Sequence, residues 1–268
     1  MNKGLDAYKI KLIALAFMIL DHVSTYLSFV TVDYQPWPRW PQFIGIITRF
    51  VSPLFLYLMI EGFYHTRSRK KYITRLFAAG VIMMAGNITI NYLFHSVDSY
   101  TGKYTLHSLI QGHDIFLTLA FMFGLVWCLE NLKAHKNILL NVILMIVCAL
   151  CGICMEGGIV LLPMTLIIWF LREKKSTMCL VILAFCLLLL LKALVGYNPN
   201  SVDSFYAYMC YEDQWAMAAV IPFILLYNGE RGKNTPFTKY MFYVIYPLHL
   251  WVLMIAYYLI LSTGNFLG

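Results

Sequence analysis

The chain predicts an all-α, polytopic transmembrane helix bundle, and three observations carry the prediction. Of its 268 residues 61% are hydrophobic and only 12% charged, with a mean hydropathy of +0.71; ordinary soluble domains carry roughly twice that charge. The apolar runs approach the roughly 20 residues that cross a bilayer core of about 30 Å. They are solid rather than alternating, which favours helices over a barrel, because lipid leaves no water to satisfy backbone groups. Third, the basic residues gather on alternate connections, as positive-inside topology requires. A soluble globular domain and a disordered chain are excluded. So is a disulfide scaffold, since seven cysteines are spread thinly through apolar runs. The length leaves room for eight to ten spans and none for a separate soluble domain, so 1–268 reads as one transmembrane domain.

Taken in order, the apolar segments place helices at about 9 to 31, 43 to 64, 71 to 95, 113 to 131, 137 to 155, 157 to 171, 176 to 197, 213 to 229 and 239 to 262. That makes nine spans. The run from 157 to 171 is short for a full span and follows Glu156-Gly157-Gly158, so an eight-span reading stays open there. The first segment continues to spanning length without a small-residue cleavage site, so it reads as a retained helix rather than a signal peptide.

Orientation follows from charge. Lys3, Lys9, Lys11, Arg67, Arg69, Lys70, Lys71, Arg75, Lys133, Lys136, Arg172, Lys174, Lys175, Arg231, Lys233 and Lys239 are sixteen of the twenty basic residues, and all fall on one side of a nine-span arrangement. The N-terminus is therefore expected in the cytoplasm and the C-terminus outside. The net charge of +7 is then a topology signal that also meets anionic headgroups, so membrane lipids are expected partners and nucleic acid is not. The outer stretches Asp33 to Pro41 and Tyr197 to Trp215 are rich in Trp, Tyr and Pro, which suits an aromatic belt or a lid over an acceptor.

An ionisable group deep in a span is expensive and therefore a functional candidate. Asp21 and His22 lie at the midpoint of the first expected span, and His249 lies about ten residues into the last. At 1.5 Å per residue all three reach similar depth. A histidine of near-neutral pKa can take a proton from an attacking hydroxyl or amine and return it to a leaving group. Asp21 and His22 point about 100° apart on their helix, so Asp21 suits an imidazole across the bundle, such as His249. An interhelical hydrogen-bond network is the alternative. Arg49 lies about two turns inside the second span and is followed by Ser52 and Pro53, whose break in the backbone suits a cavity wall. Arg49 and Glu61 sit about 18 Å apart on one helix, so each needs another partner. Lys192, near the end of its helix, is placed to snorkel.

On the expected inner side Glu61 and His65 precede Arg67, Arg69, Lys70, Lys71 and Arg75. The set reads either as positive-inside flanking or as a mouth for a polyanionic cofactor such as the phosphates of a coenzyme. Asn87 and Asn91 share a helix face as polar glue or cavity lining. Asp114 and Glu156 sit at outer helix ends, where they would line an outward cavity. Cys148, Cys151 and Cys154 lack histidine partners and read as packing residues. His95, His107 and His113 surround one outer loop with spacing too irregular for a zinc site, so no metal is expected. Gly-rich nucleotide loops and nucleophile elbows are absent.

Asp21-His22, the run from Arg49 through Pro53-Leu54-Phe55 to Glu61-Gly62-Phe63 and Thr66, and Lys71-Tyr72-Ile73-Thr74-Arg75-Leu76 resemble the TraX family of bacterial integral membrane proteins. Tyr227-Asn228-Gly229-Glu230-Arg231-Gly232 and Phe242-Tyr243-Val244-Ile245-Tyr246-Pro247-Leu248-His249 resemble its C-terminal signature, so the likeness runs from the first helix to the last. Where the family leads one to expect Gly before Arg49 and an aromatic before Pro53, this chain has Thr48 and Ser52.

The resemblance implies a multi-pass acyltransferase of the bacterial cytoplasmic membrane. It would move an acetyl group from cytoplasmic acetyl-CoA to an amine or hydroxyl of a pilin-like peptide, a glycan or a lipid. Under it His22 or His249 is the base, Asp21 tunes the imidazole, and the basic turn with Glu61 and His65 meets the CoA. Arg49, Ser52, Asn87, Asn91, Asp114, Glu156 and Tyr246 become candidate acceptor contacts. Two other classes fit the intramembrane charges: a proton-coupled exporter, against which stands the absence of a repeated Asp-His or Arg-x-x-x-Pro pattern, and a non-catalytic membrane partner that holds a pilin or peptide during assembly.

Overall fold

The computed structural model describes residues 4–27, 42–98, 100–200, 204–233 and 235–264. Among them the chain is helical throughout, with a single bridge between Leu5 and Tyr227 as its only extended pairing. In order come α1 (Ala7–Leu27), α2 (Gln42–Thr48), α3 (Val51–His65), α4 (Arg69–Leu93), α5 (Leu106–Ile110) and α6 (Ile115–Lys133). They are followed by α7 (Ile138–Ile153), α8 (Gly158–Leu171), α9 (Lys175–Gly196), α10 (Phe205–Tyr211), a 3-10 segment (Asp213–Val220), α11 (Ile221–Leu226) and α12 (Pro236–Gly264).

Five stretches are long and apolar enough to cross a membrane: Gln42–His65, Arg69–Leu93, Ile115–Lys133, Lys175–Gly196 and Tyr240–Ser262. Ile138–Ile153, Gly158–Leu171 and Asp213–Leu226 are shorter apolar helices. At 14 residues α8 is about 21 Å long, which falls short of a perpendicular crossing. Apolar side chains such as Leu180, Leu187, Leu188 and Val195 on α9 stay exposed; in a chain of this hydropathy they are surface for lipid. This is a membrane protein.

The expected segment from 43 to 64 is two helices, with Arg49 and Phe50 forming the turn between α2 and α3. Pro53 is the third residue of α3, where its missing N–H costs nothing, so the helix restarts just before it. The expected helix from 213 to 229 begins instead as a 3-10 segment and becomes α-helical only at Ile221, with Pro222 in the first turn of α11. The outer stretch from 33 to 41, with Arg39, and also Lys3 and residues 201–203 lie outside the described residues.

The chain forms two compact units, Met1–Leu58 with Leu166–Phe242, and Met59–Thr165 with Tyr243–Gly268. In the first, α2 packs against α1, α10 and the 3-10 segment, and α9 packs against the 3-10 segment and α11. Phe50 stacks on Phe223 at 4.6 Å between ring centroids and meets Phe17 edge-on at 5.2 Å. In the second, α6 is the hub, packed against α4 and α7. Its Ala120, Met122, Phe123 and Val126 have no exposed surface.

Candidate functional site

Each unit holds one polar cluster. That of the first unit is built on the interruption between α2 and α3. Thr48 ends α2 and is buried, and its hydroxyl donates to the Asp21 carboxylate on α1 in a short hydrogen bond. Thr48, the residue that stands where the resemblance leads one to expect glycine, is thus what engages Asp21. Arg49, in the turn itself, pairs with Asp213 at 2.5 Å, and the Asp213 side chain is only 3% exposed. The 3-10 segment that starts at Asp213 is what delivers this carboxylate.

Gly45 leaves the necessary room, since a Cβ there would stand 2.8 Å from Asp213 Oδ2. Among the described residues the buried Arg49 Nε and Trp215 Nε1 hydrogens have no partner. Removing Arg49 would strand the buried Asp213 charge. His22 is buried beside Asp21, and Ser52 is half-buried at the start of α3. Lys192, expected to snorkel, pairs with Glu212 at 2.8 Å.

The cluster of the second unit forms where α6 starts. Asp114 caps α6 by accepting the Leu117 N–H at 3.3 Å. Glu156, in the turn before α8, crowds the same helix end: one carboxylate oxygen takes the Asp114 N–H at 2.6 Å and the other the His113 Nδ1–H at 2.6 Å. The Glu156 backbone is fixed as well, its carbonyl accepting from the fully buried Thr118 hydroxyl at 2.8 Å. A helix N-terminus favours negative charge, yet two carboxylates share this one. Burial first, and then the Glu156 charge, push the Asp114 carboxyl up to about 7, against the Leu117 and Phe116 amides that pull it down. Its Oδ2 is buried and, among the described residues, without a hydrogen-bond partner.

The last helix closes this cluster. The Tyr246 hydroxyl accepts the Ile115 N–H at 3.2 Å, and the Tyr246 and His249 rings meet edge-on at 5.8 Å. Pro247 lies inside α12 beside them, which frees the carbonyl of Tyr243 one turn back. His249 Nδ1 sits 2.8 Å from the Ile245 carbonyl, so the lone pair belongs to Nε2, and His249 is within electrostatic reach of His113.

Asn87 donates to the His113 carbonyl at 3.4 Å and accepts from the Trp251 indole at 3.2 Å. Gly86 makes that approach possible, since a Cβ there would lie 2.2 Å from the indole. Asn91 donates to the Leu109 and Gln111 carbonyls, both at 2.8 Å, and accepts from Tyr258 at 2.7 Å. The two asparagines tie α4 to α12 and to the loop that carries His113.

The basic turn lies in the same unit, at the other end of α4. Ser68 caps that helix, accepting the Lys71 N–H at 3.3 Å, and no acidic residue stands in its first turn. Arg69 is held 4.0 Å above the Phe63 ring, and Arg75 donates from Nε to the Lys71 carbonyl at 3.1 Å. Arg67, Lys70 and Lys71 are exposed, while His65 Nδ1 bonds to the Glu61 carbonyl at 2.8 Å. From Arg69 to Asn87 is roughly 27 Å along the helix axis.

The structure therefore gathers Asp114, Glu156, Tyr246, His249, Asn87 and Asn91 around one helix start. Asp21, His22, Arg49 and Ser52 belong to the other unit. Sequence reasoning missed three residues. Asp213 was legible as an acid at the edge of a connection without basic residues, which needs a cation from elsewhere; Thr48 was legible as a departure from the expected glycine. His113 adjoins Asp114 as His22 adjoins Asp21, but its partner is 43 residues away. His95 pairs with Tyr104 instead, at 2.7 Å.

Comparisons with known proteins agree with the architecture. The probable fimbrial assembly protein FimC, serogroup H1, of Dichelobacter nodosus is 26% identical over 264 residues, covering 96% of this chain and 98% of that one. No solved structure matches. The TraX protein family pattern matches residues 7–257, nearly the whole helical chain from α1 into α12, and the protein belongs to the TraX family.

Proposed function

We propose that the protein is a membrane-embedded acetyltransferase of the bacterial cytoplasmic membrane, with its N-terminus inside. It moves an acetyl group from cytoplasmic acetyl-CoA to an amine or hydroxyl of a peptide, glycan or lipid. The name of the Dichelobacter relative makes a fimbrial subunit, a pilin-like peptide, the first acceptor to try. The observation that carries the reading is that one compact unit holds both ends of such a reaction. It contains a turn of five cations, Arg67, Arg69, Lys70, Lys71 and Arg75, unopposed by acid in the first turn of α4, and at the far end of that helix a set of imidazoles and carboxylates.

An acyl-CoA is polyanionic at one end and carries its thioester at the other. The cations, with Glu61 and His65 beside them, suit the phosphates. His249 suits proton transfer at the thioester, its tautomer set by the Ile245 carbonyl. The other unit holds a buried imidazole, His22, beside the half-buried Asp21, and a cation, Arg49, oriented by Asp213.

The first test is stability of the purified protein in detergent against increasing acetyl-CoA. A ligand that binds only the folded state adds about 2.7 kcal/mol at a hundredfold excess over Kd. We expect a saturable shift that is strongly weakened when Arg67, Lys70 and Lys71 are changed together to Ala. A folded protein that shows no shift rules the donor out.

A further inference from the structure

His113 has its imidazole joined to a carboxylate by a hydrogen bond, and the reading above gives it no role. Glu156 receives the His113 Nδ1–H at 2.6 Å and is itself fixed twice, by the Asp114 N–H at 2.6 Å and by the Thr118 hydroxyl on its carbonyl at 2.8 Å. A carboxylate anchored in this way selects the tautomer, leaves the lone pair on Nε2 and makes the imidazole a stronger base. The His113 side chain is 33% exposed, so it is reachable as well as oriented.

The titratable groups around it are Asp114 beside it, Glu156 from the turn before α8, and His249 and Tyr246 from α12. From α4 comes the uncharged Asn87. His249 presents its own Nε2 lone pair from α12.

We propose that His113, oriented by Glu156, is the base that takes the proton from the acceptor nucleophile and returns it to the departing sulfur. The inference rests on the acetyl-transfer reading. The acceptor nitrogen or oxygen forms a bond to the acetyl carbon, and the carbon–sulfur bond breaks with its electron pair going to sulfur. The nucleophile's proton goes to His113 Nε2 and from there to the thiolate. The imidazole ends neutral as it began, so no outside acid or base is consumed. Glu156 is a positioning residue, acting through the imidazole.

The test uses the full-length protein in detergent, acetyl-CoA, and a synthetic peptide of a pilin N-terminus with a free amine. His113→Gln should lower kcat at least a hundredfold with KM for acetyl-CoA unchanged, and it should keep the acetyl-CoA stability shift, which shows that it folds. Glu156→Gln should lower kcat about tenfold and move the acid limb of the pH–rate profile to lower pH, because the base is weakened; Glu156→Asp should recover part of the rate. By nitrogen NMR the neutral His113 ring should carry its proton on Nδ1 in the native protein and on either nitrogen in Glu156→Gln.

Wild-type kcat and pH profile in His113→Gln would overturn the assignment while leaving acetyl transfer standing. So would a native ring protonated on Nε2. A folded native protein that acetylates no such peptide, and shows no acetyl-CoA shift, removes the acetyl-transfer reading and this inference together.

Discussion

The two polar clusters differ in the kind of charge they hold. Around Arg49 the cation cannot lose its proton, and its partner Asp213 is sealed by the close approach of Gly45. Around His113 stand an imidazole on a carboxylate, a second carboxyl pushed up to about 7, and the His249 ring beside Tyr246. A guanidinium keeps its charge at any physiological pH, whereas imidazoles and carboxyls are groups that can exchange protons. One chain thus separates an ionic clasp from a cluster of imidazoles and carboxyls, and each cluster has its own compact unit.

The sharpest way to break the contrast is Arg49→Met. It leaves the Asp213 carboxylate buried and unpaired, and we expect a loss of about 3 kcal/mol at pH 8 by denaturation in detergent. Burial already pushes the Asp213 carboxyl up, so protonation should relieve part of the loss at lower pH. Arg49→Met with Asp213→Leu should recover most of it, since no stranded charge remains, and a double variant as unstable as the single one would remove the ionic clasp.

Asp114→Asn is the counterpart in the second unit and should depend strongly on pH. The folded carboxyl sits near 7 against an ordinary 3.8, so ionising it costs the folded state. The native protein therefore keeps its full stability below about pH 4 and loses it as the pH rises through 7. Asparagine caps a helix as well as aspartate does and cannot ionise. The variant should match the native protein near pH 4 and exceed it by about 2 kcal/mol at pH 8, once partial exposure is discounted. A constant difference across that range would remove the titrating carboxyl from the comparison.

The smallest effect is expected from Tyr258→Phe. It removes the hydroxyl that Asn91 Oδ1 accepts and leaves that buried oxygen unmet, at a cost of about 1 kcal/mol without pH dependence. Set beside Asp114→Asn, it would separate a pH-independent hydrogen bond from a titrating carboxyl within one unit.

Much of the fold was legible because a membrane imposes length and polarity on every segment. The expected segments at 71 to 95, 113 to 131, 137 to 155 and 176 to 197 match α4, α6, α7 and α9 to within about two residues, since each is an unbroken apolar run. The break at Arg49 was half legible: Pro53 announced it, but the helix end at Thr48, three residues before Val51, depends on Thr48 reaching Asp21 and Arg49 reaching Asp213. Glu156 and Asp114 were legible as acids at helix ends, without their convergence on a single end. His113 was visible only as one histidine of an irregular loop set, because its partner enters from a turn 43 residues later.

What the sequence determined by itself was the class of protein: helices, a membrane, the kinship from α1 to α12, and which side chains are too polar to lie in lipid unmatched. Hydropathy and charge are properties of each segment and need no partner to be read. Which polar groups meet was decided by tertiary structure alone. Asp21 joined Thr48, Arg49 joined Asp213, and His113 joined Glu156, because a hydrogen bond or ion pair depends on a few tenths of an ångström between residues that chain distance does not relate.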